Sequence, residues 1–135
     1  MEIFHSEETW SLSVLALDDK RLGKQRLECI QILLSLSGII NIWEIPKYIH
    51  NHPVTLLWKG NEDYLLSYTT ACIIEWGNRG YKNTKCISAF HDMRAITGDY
   101  PVKGKPSFIT ADFIQSHKIK LYSKNPLFYA KYKPE

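Results

Sequence analysis

The sequence lacks the short motifs that define several large enzyme classes. It contains no Gly-rich loop that would cradle a nucleotide phosphate, no Cys and His residues at the spacing of a zinc site, and no Ser/His/Asp arrangement with a nucleophile elbow. Kinases, nucleoside triphosphatases, metalloproteases and nucleotide-dependent dehydrogenases are therefore poorly supported. We expect neither a metal ion nor another cofactor.

Cysteines are few and apolar runs are short. The three cysteines, Cys29, Cys72 and Cys86, are odd in number, far apart and set in apolar stretches, which predicts buried free thiols in a reducing compartment. The longest apolar stretch, residues 30–43, is too short and too interrupted to span a bilayer, and the N-terminus lacks the hydrophobic core of a signal peptide. We expect a soluble intracellular protein, cytoplasmic or nuclear, without membrane association.

Repeats, low-complexity tracts and linkers are also absent, so residues 1–135 are expected to form one domain. The chain is 44% hydrophobic, which suffices for a core at this length. Its net charge of +3 and pI of about 8.7 are compatible with nucleic-acid binding without being diagnostic. Aromatic residues make up 13%, and those near cations would suit base stacking, although most belong in the core.

Apolar residues recur every three or four positions in four segments, which is typical of amphipathic helices. The pattern predicts helices over residues 19–36, 61–77, 84–96 and 111–122. Strand-like alternation is scarce, so the fold class is predicted to be all-α, a compact single-domain bundle of about four main helices. Residues 1–17 are predicted to be a short helix or an extended arm, residues 46–53 a loop bounded by prolines, and residues 125–132 an aromatic tail that packs back on the body.

The most informative segment is the start of the first predicted helix, where four cations precede one carboxylate. The cations are Lys20, Arg21, Lys24 and Arg26, and the acid is Glu28. Basic residues at a helix N-terminus oppose the macrodipole, so helix stability does not explain them, whereas phosphate binding does. The alternative is an ordinary exposed Lys24–Glu28 pair that contributes about a few tenths of a kcal/mol.

Two faces of this helix are expected to differ in character. Arg21, Lys24, Gln25 and Glu28 share one polar face, because residues three, four and seven apart lie above one another. Leu22, Cys29, Ile30, Leu33 and Leu34 form a core stripe. Arg26 lies nearer the stripe, so its guanidinium group is expected to have a specific partner.

Glu28 is the strongest catalytic candidate, and two kinds of companion are available to it. An imidazole exchanges protons at neutral pH, and of His50, His52, His91 and His117 we retain His52 and His117 as candidates. The second companion is the chain's own α-amine. An α-amino group has an ordinary pKa of about 7.7–8.0 against about 10.4 for lysine, so more of it is a free nucleophile near neutral pH.

Several segments resemble one family, the pyrimidine-dimer DNA glycosylase/AP lyases of the endonuclease V type. The first is Asp19-Lys20-Arg21-Leu22-Gly23-Lys24-Gln25-Arg26-Leu27-Glu28, followed by His52-Pro53-Val54, Leu57-Trp58-Lys59-Gly60, Glu75-Trp76, Arg79-Gly80, Ser116-His117 and Lys124-Asn125-Pro126. The resemblance covers most of the chain. It implies a compact helical fold in which the N-terminal amine attacks C1′ of a damaged nucleotide, a helix glutamate is essential, and β-elimination cuts the strand.

Carried over to this sequence, the resemblance gives Glu28 the role of the glutamate and makes Arg21 and Lys24 phosphate contacts. Lys20, Arg26 and Arg79 are further DNA-binding candidates, more weakly assigned. Arg79 is also expected to form a structural pair with Glu75 one helical turn before it. Because Glu2 is large and acidic, Met1 is expected to be retained, and its amine is then the nucleophile.

The leading hypothesis is a monomeric DNA-repair-type glycosylase/AP lyase that acts on damaged duplex DNA, of UV type or abasic. A side chain such as Trp58 or Tyr81 would fill the gap that an extruded nucleotide leaves. Two alternatives stay open, an enzyme that acts on a small nucleotide or nucleoside and a non-catalytic helical module that binds nucleic acid or protein.

Overall fold

Seven α-helices and one 3₁₀ turn account for the regular structure of the computed structural model, which describes residues 1–135. The helices are α1 Trp10–Leu15, α2 Asp19–Leu36, α3 Lys47–Asn51, α4 Pro53–Trp58, α5 Glu62–Asn78, α6 Thr84–Thr97 and α7 Ala111–Lys124, and the 3₁₀ turn is Ala130–Tyr132. No strand is present, so the all-α prediction is confirmed.

The four long helices, α2, α5, α6 and α7, are those that the apolar periodicity predicted. The predicted ends of α2 agree with the structure because its stop signal is local. Gly38 adopts a φ of +69°, and the backbone N–H groups of Gly38 and Ile39 bond the carbonyls of Ser35 and Leu34 at 3.1 and 3.0 Å. This left-handed glycine closes the helix.

The predicted loop between the prolines is wrong, because both prolines introduce helices. Pro53 is the first residue of α4, where its fixed φ suits a helix start and its missing N–H costs no hydrogen bond. Pro46 precedes α3 in the N-cap position. The prolines therefore mark helix beginnings and not the borders of a loop.

The short helix that the sequence allowed within the first 17 residues is confirmed as α1. Residues 1–9 form an N-terminal arm without helix or strand, and the Thr9 hydroxyl caps α1 by accepting a hydrogen bond from the Leu12 N–H at 3.1 Å. Ile3 and Phe4 are 2% and 4% exposed, so the arm is part of the core.

One apolar cluster runs through the molecule from the arm to the tail and is centred on α2. The predicted stripe of α2 is confirmed, since Leu22, Cys29, Ile30, Leu33 and Leu34 are all fully buried. Gly23 permits the close approach of α5, because a Cβ there would lie 2.9 Å from Cη2 of Trp76. The three cysteines are free and buried, as predicted. None of the helices combines the length and apolarity that a membrane crossing requires.

The C-terminal tail packs over the N-terminal end of α2, as its aromatic residues predicted. Tyr129 is fully buried, and its hydroxyl donates to Oδ1 of Asp18 at 2.5 Å and accepts from the Asp18 N–H at 2.8 Å. The Tyr132 hydroxyl bonds the Glu7 carboxylate. The tail thereby ties the start of α2 to the arm.

Candidate active site

The N-terminal arm and the polar face of α2 enclose a cavity of about 220 Å³, which we call the N-terminal cavity. It is lined by Met1, Glu2, Phe4, Lys20, Arg21, Lys24, Gln25, Glu28 and Lys124. The four residues that were predicted to share a face of α2 all line it. The prediction of a common polar face is therefore confirmed.

Gln25 holds the arm in place by bonding its backbone at two points. The Gln25 amide nitrogen donates to the Glu2 carbonyl at 2.6 Å, and its amide oxygen accepts from the Phe4 N–H at 2.7 Å. The Tyr68 hydroxyl donates to the Phe4 carbonyl at 2.6 Å. Because Gln25 is only 2% exposed, these hydrogen bonds are shielded from water and fix where Met1 lies.

His117 supports the arm from α7. Its Nδ1 accepts a hydrogen bond from the His5 N–H at 2.8 Å, and its Nε2 lies 3.7 Å from the Glu2 carboxylate. Lys120 contacts the other oxygen of that carboxylate at 2.8 Å. Burial lowers the pKa of His117 to about 4, so the imidazole is neutral near pH 7. His117 is buried beneath the arm and does not line the N-terminal cavity.

The carboxyl group of Glu28 belongs to a buried residue that is 5% exposed, and its Oε2 has no hydrogen-bond partner. Burial raises the pKa of Glu28, and the positive charges of Lys24 and of the N-terminal amine partly oppose the rise. The sequence indicated the cations but not the desolvation. A carboxyl group with a raised pKa is better suited to exchanging protons near neutral pH than an exposed one.

The Met1 amine and Glu28 share the N-terminal cavity without being paired. Met1 lines the cavity, and its amino group is close enough to act on the pKa of Glu28. The two groups do not form one of the seven ion pairs of the protein. The terminal amine and a carboxyl group whose Oε2 has no hydrogen-bond partner therefore line the same cavity.

Cations surround this space. Lys20, Lys24 and Lys124 are exposed, and none of them takes part in an ion pair of the protein. Arg21 is half-buried and lies 3.3 Å from the Asp18 carboxylate. Lys124 was not among the site residues predicted from the sequence, although it belongs to the Lys124-Asn125-Pro126 segment that resembled the family.

Arg26 lies away from the N-terminal cavity. Its Nη1 donates to Oδ1 of Asn83 at 2.9 Å and to Sγ of Cys86 at 2.8 Å, and its guanidinium group lies 4.7 Å from the ring centre of Trp76. The expected specific partner of Arg26 therefore exists, and it joins α2 to α5 and α6.

Arg79 is likewise engaged by the protein. It bonds the Glu75 carboxylate at 2.8 Å, the Asp19 carboxylate at 2.9 Å and the Leu17 carbonyl at 2.7 Å. These contacts fasten the C-terminal end of α5 to Leu17 and to the first residue of α2.

Two further predicted residues lie outside the cavity. His52 caps α4, since its Nδ1 accepts from the Val54 N–H at 3.1 Å. Trp58 is 1% exposed and packs edge-on against Phe108 with ring centres 5.0 Å apart. The suggestion that Trp58 fills a gap in DNA is wrong, because the ring is part of the core.

A family model supplies an independent comparison. The model described as pyrimidine dimer DNA glycosylase matches residues 1–88 of the 135. The chain belongs to the pyrimidine dimer DNA glycosylase family. No curated protein and no solved structure matches the chain.

The residues matched by the family model contain the N-terminal arm and all of α2, including Gln25, which holds the arm in place. Eight of the nine residues that line the N-terminal cavity fall inside it, and Lys124 falls outside. Membership of a DNA glycosylase family implies glycosylase activity and DNA as substrate. The resemblance seen in the sequence is thus confirmed, and the cavity is the candidate site for the activity.

Proposed function

We propose that the protein is a DNA glycosylase/AP lyase that acts on damaged duplex DNA, of UV type or abasic, with the Met1 amine as nucleophile and Glu28 as its partner. The observation that carries this proposal is the placement of Met1 and Glu28 in one cavity of about 220 Å³ surrounded by cations. An α-amine is a better nucleophile than lysine near neutral pH, because a larger fraction of it is unprotonated.

The proposed reaction begins at the sugar. The Met1 nitrogen bonds to C1′, the N-glycosidic bond breaks, and the base leaves with the electron pair of that bond and takes up a proton. The nitrogen loses a proton, and its lone pair then forms a double bond to C1′ as the C1′–O4′ bond breaks. O4′ leaves with the electron pair of the broken bond and takes up a proton, which gives a ring-opened, cationic iminium. Glu28 stabilises this cation, since a preorganised charge in a desolvated site acts strongly on a charge that develops there.

Strand cleavage follows from the same intermediate. A general base, which is a proton acceptor of the site and not the released nucleobase, removes a proton from C2′. The C3′–O bond breaks, and the 3′ phosphate leaves with the electron pair of that bond. Water then hydrolyses the imine and frees the Met1 amine. The raised pKa of Glu28 suits it to carry protons in these steps.

The cations of the cavity are assigned to the DNA backbone. Lys20, Lys24 and Lys124 are exposed and unpaired, so each is available to a phosphate. We assign Arg26 and Arg79 to the scaffold instead, because their guanidinium groups already have protein partners. His117 is a positioning residue in this proposal, and His52 a helix cap.

Borohydride trapping tests the proposal. Untagged protein is incubated with duplex that contains an abasic site, or with UV-irradiated duplex, and sodium borohydride reduces any iminium to a stable adduct. We expect an adduct at Met1, and none after the N-terminus is acetylated. Glu28→Gln should slow adduct formation on the order of 10²–10³-fold.

Glu44→Gln is the matched control, because Glu44 is exposed and lies outside the cavity. It should trap at the wild-type rate. The absence of an adduct on both substrates, with the N-terminus shown to be free, would overturn the lyase chemistry. An adduct on a lysine side chain would overturn the assignment of Met1.

A further inference from the structure

The segment between α7 and the 3₁₀ turn exposes two consecutive apolar side chains. Leu127 is 92% exposed and Phe128 is 53% exposed. Single exposed apolar residues are ordinary on protein surfaces and carry no functional implication. The pair of Leu127 and Phe128 differs in two respects. Hydrogen bonds anchor the backbone around it, and it lies next to the N-terminal cavity.

The backbone on either side of the pair is anchored. The Asn125 carbonyl accepts from the Tyr129 N–H at 2.9 Å, and its side-chain oxygen accepts from the Phe128 N–H at 3.2 Å. The buried Tyr129 bonds Asp18 through its hydroxyl, and its ring lies edge-on to Phe128 with centres 4.8 Å apart. Hydrogen bonds therefore anchor the turn that carries Leu127 and Phe128, which we call the apolar tip.

The tip adjoins the N-terminal cavity. Lys124 lines the cavity and lies three residues before Leu127, which places the two Cα atoms within about 11 Å of each other even for an extended chain. On the other side, Tyr129 is bonded to Asp18, and Asp18 contacts Arg21, which also lines the cavity. Both anchors of the tip thus lead to the cationic rim.

We propose that Leu127, backed by Phe128, is a wedge that enters the base stack of duplex DNA when a nucleotide is drawn toward the cavity. The inference rests on the proposed function, because it takes damaged duplex as the substrate. A nucleotide that leaves the stack creates a gap, and apolar side chains such as Leu and Phe fill gaps of this kind in kinked DNA.

Trp58 and Tyr81 were the two side chains suggested from the sequence for filling the gap. In the structure Trp58 is inaccessible, and Tyr81 is held by contacts within the protein. Trp58 is buried in the core. The Tyr81 ring stacks on Trp76 with centres 4.2 Å apart, and its hydroxyl bonds the Asp19 carboxylate at 2.7 Å. Leu127 has no comparable contact to give up.

Fluorescence tests the wedge without requiring catalysis. A duplex carries a tetrahydrofuran abasic analogue, which the amine cannot attack, and 2-aminopurine beside it reports loss of stacking. Wild-type protein should raise the fluorescence at saturation, and Leu127→Ala should lose most of the rise. Ile40→Ala is the matched control, since Ile40 is 81% exposed but follows the C-terminal end of α2, far from the cavity. An equal rise with Leu127→Ala overturns the wedge.

Trapping rates separate this inference from the proposed function. Leu127→Ala should slow trapping on abasic duplex at least about tenfold, because it removes most of the apolar surface available to the bases, and should leave trapping on the abasic single strand unchanged. Equal slowing on both substrates overturns the wedge, since a single strand has no stack to fill. A wild-type protein that raises the fluorescence without trapping refutes the lyase and leaves the wedge standing.

Discussion

The side-chain amide of Gln25 bonds the backbone carbonyl of Glu2 at 2.6 Å, across 23 residues of sequence. The same amide accepts from the Phe4 N–H, so one side chain grips the arm on both sides of Ile3. In the proposed reaction the nucleophile is only one residue before Glu2. The accuracy with which Met1 meets a substrate then depends on Gln25, although Gln25 supplies no chemistry of its own.

Gln25→Ala is expected to lower both stability and the rate of trapping. Removing the amide leaves the Phe4 N–H and the Glu2 carbonyl without this partner, at a cost of about 1–3 kcal/mol. A displaced nucleophile costs further rate, since reaction requires close and aligned approach. The measurements are thermal unfolding and single-turnover trapping well below the melting temperature, with DNA affinity determined in parallel.

Gln115→Ala is the control for this experiment, because Gln115 is an exposed glutamine on α7. The positioning role requires that trapping slows while duplex affinity stays near the wild-type value. A loss of affinity in proportion to the loss of rate would show instead that Gln25 acts through the DNA-binding surface.

Glu28→Gln is expected to stabilise the folded protein at neutral pH while it lowers activity. Burial raises the pKa of Glu28 in the folded state above its ordinary value, so ionisation is harder there than in the unfolded chain. Below the unfolded pKa of about 4.3 the carboxyl is protonated in both states and costs nothing. As the pH rises through the folded pKa, the charged carboxyl increasingly destabilises the fold.

The uncharged glutamine escapes this cost. The melting temperature of Glu28→Gln should therefore exceed that of the wild type at pH 7–8, and the difference should shrink toward pH 4. Glu44→Gln should show no such pH-dependent gain. A difference for Glu28→Gln that is the same at every pH would assign the effect to packing and not to ionisation.

The protein is expected to lose stability in mild acid through two buried imidazoles. Burial lowers the pKa of His5 and of His117 to about 4 from the ordinary 6.5. The unfolded chain therefore binds protons below pH 6.5 that the folded chain refuses, so stability falls from there until the pH passes about 4. The loss is at most on the order of 3 kcal/mol for each imidazole.

His117→Gln tests this source of acid sensitivity. The amide oxygen can accept the hydrogen bond of the His5 N–H, and the side chain does not titrate. Denaturant unfolding between pH 7 and pH 4 should show a shallower loss of stability for the variant. An unchanged slope would mean that the His117 imidazole does not resist protonation in the folded state.

Local features of the fold were readable from the sequence, whereas the cavity was not. The ends of α2 follow from its apolar stripe and from Gly38, and the polar face with Arg21, Lys24 and Glu28 follows from helix geometry. The closure of the cavity depends on contacts between distant parts of the chain. His5 and His117 are 112 residues apart, and no periodicity in the sequence indicates that they meet.

For the basic residues the sequence indicated part of the answer. The position of Arg26 beside the apolar stripe predicted a specific partner, and the spacing of Glu75 and Arg79 predicted their ion pair. The partners Asn83 and Cys86 of Arg26 and the partner Asp19 of Arg79 lie far away in the sequence, so only the packed structure identifies them.

The assignment of three lysines to the DNA backbone is expected to appear in the salt dependence of binding. Each phosphate contact contributes about 0.9 to the slope of log affinity against log salt on B-DNA. Lys20→Ala, Lys24→Ala and Lys124→Ala should each weaken duplex binding and reduce the slope by about one. Lys47→Ala is the control, because Lys47 is exposed on α3 and does not line the cavity.

Lys124 gives the sharpest of these tests, because it is the one cavity cation outside the part of the chain that the family model matches. A slope that falls for Lys20 and Lys24 but not for Lys124 would confine the DNA footprint to α2 and remove α7 from it. A wild-type protein without this salt dependence would favour the alternative of an enzyme for small nucleotides, because such an enzyme displaces no counterions from a run of duplex phosphates. A steep slope that none of the three substitutions changes would instead assign the phosphate contacts to other cations of the protein.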